Sequence, residues 1–369
     1  MIGDQRPVPF VFMRGGTSRG PYMRRADLPA DQETLSRVLI SMIGAGHSLN
    51  IDGLGGGNPV ATKTAMLSVS DDDWADIDYF FAQVAVDKPL VDYAPTCGNI
   101  LSGVGPAAVE LGLIAPRDGA TTVRIRMVNT GARAEARFEV RDGRPVYGGA
   151  QSIHGVPGSA SPVALQFMDT VGSRTGTMLP TGQVRDTIDG IEVTCLDVAM
   201  PMVIARAEDL GITGHEGSEA LDADAALFAR FEPIRREAGR LMGLGDVSDK
   251  VVPKFGVLAP PQGDGAAAAR YFMPWKTHPT MAVTGAQCLA ACLMLPGSAG
   301  SGIARLPSGA GQGDAPFTLS LEHPTGTIDV TLDCKVTNAG LDLRSAGIMR
   351  TARLLARGDA MVPSHAWPD

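Results

Sequence analysis

A thiol stands in Thr96-Cys97-Gly98-Asn99, directly before the stretch Gly98 to Gly112, in which Glu110 is the only charge. A cysteine at the start of a helix meets the positive end of the helix dipole, which favours thiolate over thiol. The free amides of Gly98 and Asn99 at such an end are donors for a carboxylate. The competing reading is a small buried hydrophobe. An amine stands at Lys63, behind Asp52-Gly53-Leu54-Gly55-Gly56-Gly57-Asn58-Pro59 and at the start of an apolar strand. A lysine held in an apolar site loses basicity and can accept a proton near neutral pH. The competing reading is a solvated lysine on an edge strand. The glycine-rich run lacks the Gly-Lys-Ser/Thr ending of a phosphate loop. A strand, not a helix, follows it, so it is no dinucleotide fingerprint.

Three further segments offer donors to an anion. Arg14-Gly15-Gly16-Thr17-Ser18-Arg19-Gly20 follows a strand and sets amides beside two hydroxyls, the composition of an anion nest or of a plain turn. Asn129-Thr130-Gly131 ends a strand. His278-Pro279-Thr280 leads to Thr284-Gly285-Ala286 at the start of an uncharged helix, where His278 serves as acid, base, donor or structural side chain. No metal is expected. Cys288 and Cys292 are spaced i, i+4 without a His or acid partner, which reads as core. Gly-x-Ser-x-Gly before a helix is missing, so a serine-hydrolase elbow is not expected.

These segments need elements to hold them. Strands are expected at Val8–Arg14, Thr64–Ser70, Tyr79–Val86, Thr121–Thr130, Arg133–Val140 and Arg144–Tyr147. They recur at Ile191–Val198, Met202–Ala207, Lys254–Ala259, Ala268–Met273, Phe317–Glu322 and Ile328–Cys334. Helices are fewer. Gln32–Ile43 is amphipathic. Asp222–Met242 is long and charged, with Pro233 expected to bend or split it. Gly98–Gly112 and Ala286–Leu295 are apolar on all sides and therefore buried, the first with a break near Gly105 ahead of Pro106. Each half thus pairs many strands with one apolar helix. The expectation is α+β: two similar domains, 1–184 and 185–369, each a curved, mostly antiparallel sheet around a central helix. Those helices start near 98 and span about 285–295. Val171–Val184 is the expected crossing, and the last strand or helix is allowed to return to the first domain.

The 369 residues carry 32 Lys plus Arg against 40 Asp plus Glu, a net charge of -8. No basic stretch exists to neutralise phosphates, so a nucleic-acid partner is not expected. No apolar run has membrane or signal-peptide length, and a cytoplasmic protein is expected. Five cysteines in so long a chain are no disulfide framework.

In combination the segments resemble the 4-oxalomesaconate tautomerases and 2-methylaconitate isomerases. The resemblance rests on Met13-Arg14-Gly15-Gly16-Thr17-Ser18, Ile51-Asp52-Gly53-Leu54-Gly55-Gly56, Cys97-Gly98-Asn99-Ile100-Leu101 and Val104-Gly105-Pro106. It continues through Asn129-Thr130-Gly131, Leu179-Pro180-Thr181-Gly182, Leu241 to Lys254, Glu322-His323-Pro324-Thr325-Gly326 and Arg350-Thr351-Ala352-Arg353. It implies the diaminopimelate-epimerase fold, with the site in the cleft between two domains, and proton transfer within an unsaturated di- or tricarboxylate. It implies no cofactor. The family's lysine falls on Lys63 and its cysteine on Cys97. Its substrate-binding segments fall on Thr17, Ser18, Gly98, Asn99, Asn129 and Thr130, and on the start of the second central helix near Thr284; Gly16, His278 and Gly285 join them as substrate-binding candidates. Two departures bear on substrate: Arg19 stands where a lysine is common, and Leu49-Asn50 where Arg-Gln is common.

The chemistry implied is carbon-acid chemistry. Loss of a proton flanked by a carboxylate and a conjugated carbonyl or alkene leaves a dienolate, which positioned donors must stabilise. Lys63 is the expected base and Cys97 the second proton carrier or site-shaping group, with the Gly98 and Gly16 amides and the Ser18 hydroxyl holding carboxylates. The leading substrate is 4-oxalomesaconate, and 2-methylaconitate is the runner-up. A non-catalytic carboxylate-binding protein and a Cys97–His278 hydrolase are the readings from other classes. The expected partners are the small polycarboxylate and, at most, a second copy of the chain as a homodimer.

Overall fold

The computed structural model describes residues 4–273, 275–313, 316–337 and 340–368. Contacts divide the chain into two compact units: Met1–Leu165 with Met349–Asp369, and Gln166–Ile348. The boundary expected at 184/185 therefore moves back to 165/166. The expected crossing, 171–184, is instead built into unit 2. The fully buried Asp197 accepts hydrogen bonds from Ser173 Oγ (2.7 Å), the N–H groups of Arg174 and Thr175 (2.8 Å each) and Thr175 Oγ1 (2.9 Å), and Val171 bridges Val198.

Unit 1 contains, in order, β1 (Gln5–Gly15), β2 (Ser18–Arg24), α1 (Gln32–Ile43), β3 (Lys63–Val69), β4 (Ile77–Val84) and β5 (Val91–Asp92). It continues with α2 (Gly98–Leu101), α3 (Val104–Glu110), β6 (Gly119–Met127), β7 (Arg133–Arg141), β8 (Arg144–Pro145) and the start of β9 (Pro162–Phe167). Unit 2 contains β10 (Asp186–Ile188), β11 (Ile191–Val198), β12 (Met200–Arg206), α4 (Ser218–Ala223), α5 (Ala225–Leu241) and β13 (Lys254–Ala259). Then come β14 (Ala267–Phe272), α6 (Val283–Met294), β15 (Phe317–His323), β16 (Gly326–Thr337) and β17 (Gly340–Pro363). The 24-residue β17, assigned no strand in the sequence reading, lies in unit 2 to Ile348 and in unit 1 from Met349.

The two units share one topology. In unit 1 the pairs β1–β2, β3–β4 and β6–β7 are antiparallel, while β2–β3 and β4–β6 are parallel. In unit 2 the pairs β11–β12, β13–β14 and β15–β16 are antiparallel, while β12–β13 and β14–β15 are parallel. Parallel neighbours require a long crossover, usually helical. All four crossovers carry one: α1, α2 with α3, α4 with α5, and α6. The architecture is α+β.

Each sheet is covered on both faces. In unit 1, α1 buries Leu35, Val38, Leu39, Met42 and Ile43, the spacing of one helical face, against Met23, Met66, Ala82 and Val84. Asp31 caps its start and Gly44, at φ 74°, ends it. The opposite face takes α2: the Tyr22 hydroxyl donates to Ile100 O (2.6 Å) and the Tyr79 hydroxyl to Cys97 O (3.4 Å). In unit 2, α5 packs Leu227, Phe231, Ile234 and Ala238 on Phe255, Val257 and Phe272. The other face receives α6, buried from Gly285 through Met294. Cys288 and Cys292 are part of that core.

Two helices break elsewhere than expected. The Gly98–Gly112 helix is interrupted at Ser102-Gly103, not Gly105. Pro106 then falls in the first turn of α3, where its missing N–H has no intrahelical partner to lose. Pro233 neither ends nor splits α5; the break lies at Asp224, whose carboxylate accepts from Leu227 N (2.9 Å) and starts the helix. Asp224→Ala is therefore expected to lower unfolding free energy by about 1 kcal/mol in urea titration. Pro233→Ala should leave stability unchanged or raise it. A loss on Pro233→Ala with none on Asp224→Ala would place the break at the proline.

Candidate active site

Lys63 is the first residue of β3, and β3 lies between β2 and β4, so it is not an edge-strand lysine. Residues directly opposite across a pair share a face. Lys63 opposes Gln83, Ala65 opposes Phe81 and Tyr22, and Leu67 opposes Tyr79. Lys63 therefore projects from the face that carries Tyr22, Tyr79 and α2. Its Nζ donates to Gln83 Oε1 (3.0 Å) and sits 5.5 Å from the Phe81 ring centroid. Gln83 is held in turn: its Nε2 donates to Thr62 Oγ1 (3.1 Å), Pro59 O and Val84 O (3.2 Å each). That network aims Oε1 at the amine. Among the described residues, no acid pairs with Lys63. Gln83 supplies an acceptor without a negative charge.

The neighbouring rings lead from the amine to the thiol. Phe81 lies 6.3 Å from Tyr79 between centroids, and the Tyr79 hydroxyl reaches the carbonyl of Cys97. Cys97 is half-buried and starts α2. The dipole expected there rested on a helix running to Gly112. With α2 four residues long, the dipole contribution is small. Both tyrosines stay phenolic: burial first, then the nearby Cys97, push their pKa values well above the ordinary one. They act as fixed donors that pin the α2 turn to the sheet.

The turn between β1 and β2 meets α2 directly. Thr17 N donates to Asn99 Oδ1 (3.4 Å), and a Cβ on Gly16 would lie 2.2 Å from that oxygen. Gly16, at φ 53°, is thus fixed both by its backbone angle and by Asn99. Its N–H donates to Thr351 O (2.9 Å), so the amide expected to hold a carboxylate is already engaged. Ser18 is buried and Thr17 exposed. Asn129 departs most from its expected role. Its Oδ1 accepts from Phe81 N (2.9 Å) and its Nδ2 donates to Phe81 O (2.8 Å) and Tyr93 O (2.7 Å). The side chain ties the β6–β7 turn to β4 rather than presenting an amide to solvent. Thr130 beside it is exposed.

The glycine-rich segment before Lys63 is organised by Asn50. This residue is 1% exposed at φ 49°. Its Nδ2 contacts Gly44 O and Val86 O (3.0 Å each), and its Oδ1 accepts from Gly57 N (2.9 Å). Asn50 is thus a loop organiser, while Leu49 is 65% exposed.

In unit 2 the residues singled out form their own group. His278 Nδ1 accepts from Thr280 N (3.1 Å), and its ring meets Tyr271 edge-on at 5.9 Å. Burial, opposed by the Thr280 contact and aided by Lys254, lowers its pKa. Thr284 and Gly285 lie in the first turn of α6, where a Cβ on Gly285 would come within 2.4 Å of the Tyr271 ring.

The sequence reading missed Lys254 as a site residue. It opens β13 as Lys63 opens β3, and it shares the α6 face with Gly256 and Leu258. Burial, then the charge of Arg235, lowers its pKa. Arg235, fully buried, is held by Glu232 (2.7 and 2.8 Å) and donates to Val247 O (2.9 Å), fixing the loop that delivers Lys254. The signal was present: Lys254 closes the Leu241–Lys254 segment of the resemblance. Among the described residues, no three His, Cys, Asp or Glu side chains cluster as metal ligands, and no helix is long and apolar enough to cross a membrane.

Comparison with known proteins places the chain in a family. The PrpF protein family model matches residues 5–363. A 4-oxalomesaconate tautomerase of Pseudomonas putida is 42% identical over 98% of both chains. A (4E)-oxalomesaconate Delta-isomerase of Novosphingobium sp. is 44% identical over 96% of this chain and 97% of its own. The crystal structure of a methylitaconate delta-isomerase superposes with a TM-score of 0.89 at 32% identity, covering 99% of this chain and 97% of that one. The chain belongs to the PrpF family and is an isomerase.

Two predictions follow from this geometry. Asn50→Ala leaves buried backbone groups unpaired and is expected to destabilise unit 1 by roughly 2–3 kcal/mol in urea titration; an unchanged midpoint would show that the loop holds itself. For His278 the lowered native pKa means that the unfolded chain binds the proton first. Stability conferred there is present above the unfolded value of 6.5 and is lost as pH falls below it. His278→Gln should therefore reduce the loss of urea midpoint between neutral and mildly acidic pH; an identical pH dependence in both proteins would contradict this.

Proposed function

We propose that the protein moves a proton within an unsaturated di- or tricarboxylate, without a cofactor, and that its substrate is 4-oxalomesaconate. The observation that carries the reading is the placement of Lys63 Nζ, held by the neutral Gln83 amide on the face that also carries Cys97. Identity of 42% and 44% to two oxalomesaconate isomerases favours that acid.

Lys63 is the base. It takes the proton from the carbon flanked by a carboxylate and the conjugated system. The resulting dienolate spreads its charge toward the carboxylates, where fixed donors oppose it. In unit 1 these are the N–H groups of Gly98 and Asn99 and the hydroxyls of Thr17 and Ser18. Cys97 returns a proton to a different atom of the conjugated system, after which Lys63 loses its proton to water and the thiolate regains one, or Cys97 shapes the space while Lys63 returns the proton itself. The engaged amides of Gly16 and Asn129 position the donors rather than donate. In unit 2, Thr284, Gly285 and His278, with Lys254 near His278, are the candidates for carboxylate binding. Lys254 supplies the positive charge, and His278 stays neutral.

Proton NMR of the protein with 4-oxalomesaconate in D2O tests this. Isomerisation with deuterium uptake is expected, and Lys63→Ala should slow it by about 10²–10⁴-fold, the usual worth of a positioned base. Lys254→Met should raise KM about tenfold or more with a smaller change in kcat, as loss of a carboxylate cation does. Turnover of 2-methylaconitate in place of 4-oxalomesaconate would reassign the substrate within the class. Binding of either acid with no exchange would show that the substrate is another acid of the class.

A further inference from the structure

Three arginines stand side by side across unit 1 with no acid among them. Arg14 on β1 is the cross-strand partner of Arg19 on β2 and of Arg353 on β17. Like charges directly opposite each other repel. Burial and then the Arg353 charge both disfavour the Arg14 cation. Arg14 Nη1 donates to Gly16 O (2.8 Å) and Thr351 O (3.0 Å), which holds its guanidinium in place. Among the described residues, no carboxylate pairs with Arg14, Arg19 or Arg353.

The row faces away from Lys63. Gly20 is packed against the Lys63 backbone, and Met13 opposes Gly20. Arg14 and Arg19 alternate with these two residues along their strands, so they project from the other side of the sheet. Arg19 there lies 5.9 Å over the Phe12 ring. The three arginines line a pocket of about 530 Å³ together with Tyr147, Gln151 and Ser159, and no acidic residue contributes to its wall. The Gln151–Ala160 backbone pair, 3.0 Å in both directions, closes the loop on its far side. The volume is that of a small-metabolite site.

We propose that this pocket, on the sheet face opposite the Lys63 side chain, is a second site that binds a small multivalent oxyanion; Arg14 and Arg19 also border the smaller hollow that holds Thr17 and Ser18, where the two sites adjoin. Guanidinium forks pair bidentately with carboxylate and phosphate alike. An anion at the centre of the row turns three mutually repelling charges into three partners. The site meets the catalytic face through the Gly15–Ser18 turn, where Arg14 grips the Gly16 carbonyl and Asn99 Oδ1 meets Thr17 N.

Calorimetric titration of the Lys63→Ala protein at low ionic strength tests the proposal with two probes, tricarballylate and pyrophosphate. Tricarballylate is saturated and cannot be isomerised. One probe at least is expected to bind one-to-one, and the probe preferred identifies a carboxylate or a phosphate ligand. Arg353→Gln, at an exposed position, should weaken that binding about tenfold or more. Ser159→Glu, also exposed, should do the same by pairing with the arginines. Absence of binding by both probes, or affinity unchanged by both substitutions, would overturn the site. Neither result bears on Lys63-dependent turnover, which is read separately in the wild-type protein.

Discussion

The register of β3 between β2 and β4 is the constraint on which the site depends. A strand alternates its side chains between two faces, so a slip of one residue would turn Lys63 toward α1 and leave Thr62 or Thr64 facing α2. The register is fixed from both sides of the sheet. Met66, Met23 and Ala82 bury against α1, while Tyr22, Phe81 and Tyr79 face the other way. Gly20 holds the register at the lysine itself, because a side chain there would occupy the position of the Lys63 carbonyl. The amine is therefore placed by the packing of two faces and not by its own contacts.

The same solution occurs twice in the chain. Each unit has the order strand pair, helical crossover, strand pair, helical crossover, strand pair. Each ends its first crossover with a buried polar side chain that shapes a loop and delivers a lysine to the next strand: Asn50 before Lys63, Arg235 before Lys254. The means differ. Asn50 bonds backbone carbonyls directly, whereas Arg235 needs Glu232 to balance a buried charge. Their second crossovers also differ. Unit 1 opens its helix with Cys97 and breaks it at Gly103; unit 2 runs α6 unbroken and opens it with Thr284 and Gly285.

Much of this was legible in the residues. The spacing of Leu35, Val38, Leu39, Met42 and Ile43 marked α1 to the residue, and Lys254–Ala259 and Ile191–Val198 were marked as strands at their observed limits. Lys63 and Cys97 drew attention by type and position. The misread donors share one cause, competition for hydrogen bonds that no one-dimensional pattern reveals. Asn129 and Gly16 look like free donors in sequence, yet each is engaged by a backbone carbonyl distant along the chain. Asn50 was legible only as a departure from Arg-Gln, because its place in the loop was visible and its partners were not. The duplication left no close sequence repeat, because strand pairing direction is carried by crossover length and helix placement rather than by residue identity.

The central claim is that Lys63, with Gln83 as its neutral acceptor, is the base. The most direct test is the pH dependence of kcat/KM in the wild-type protein and in Gln83→Glu. The substitution sets a carboxylate beside Nζ in place of an amide oxygen, 3.0 Å away in the native arrangement. A negative neighbour favours the ammonium form, so the rising limb of the profile should move upward by about one pH unit or more. A limb that stays in place while the protein remains folded and active would contradict Lys63 as the base.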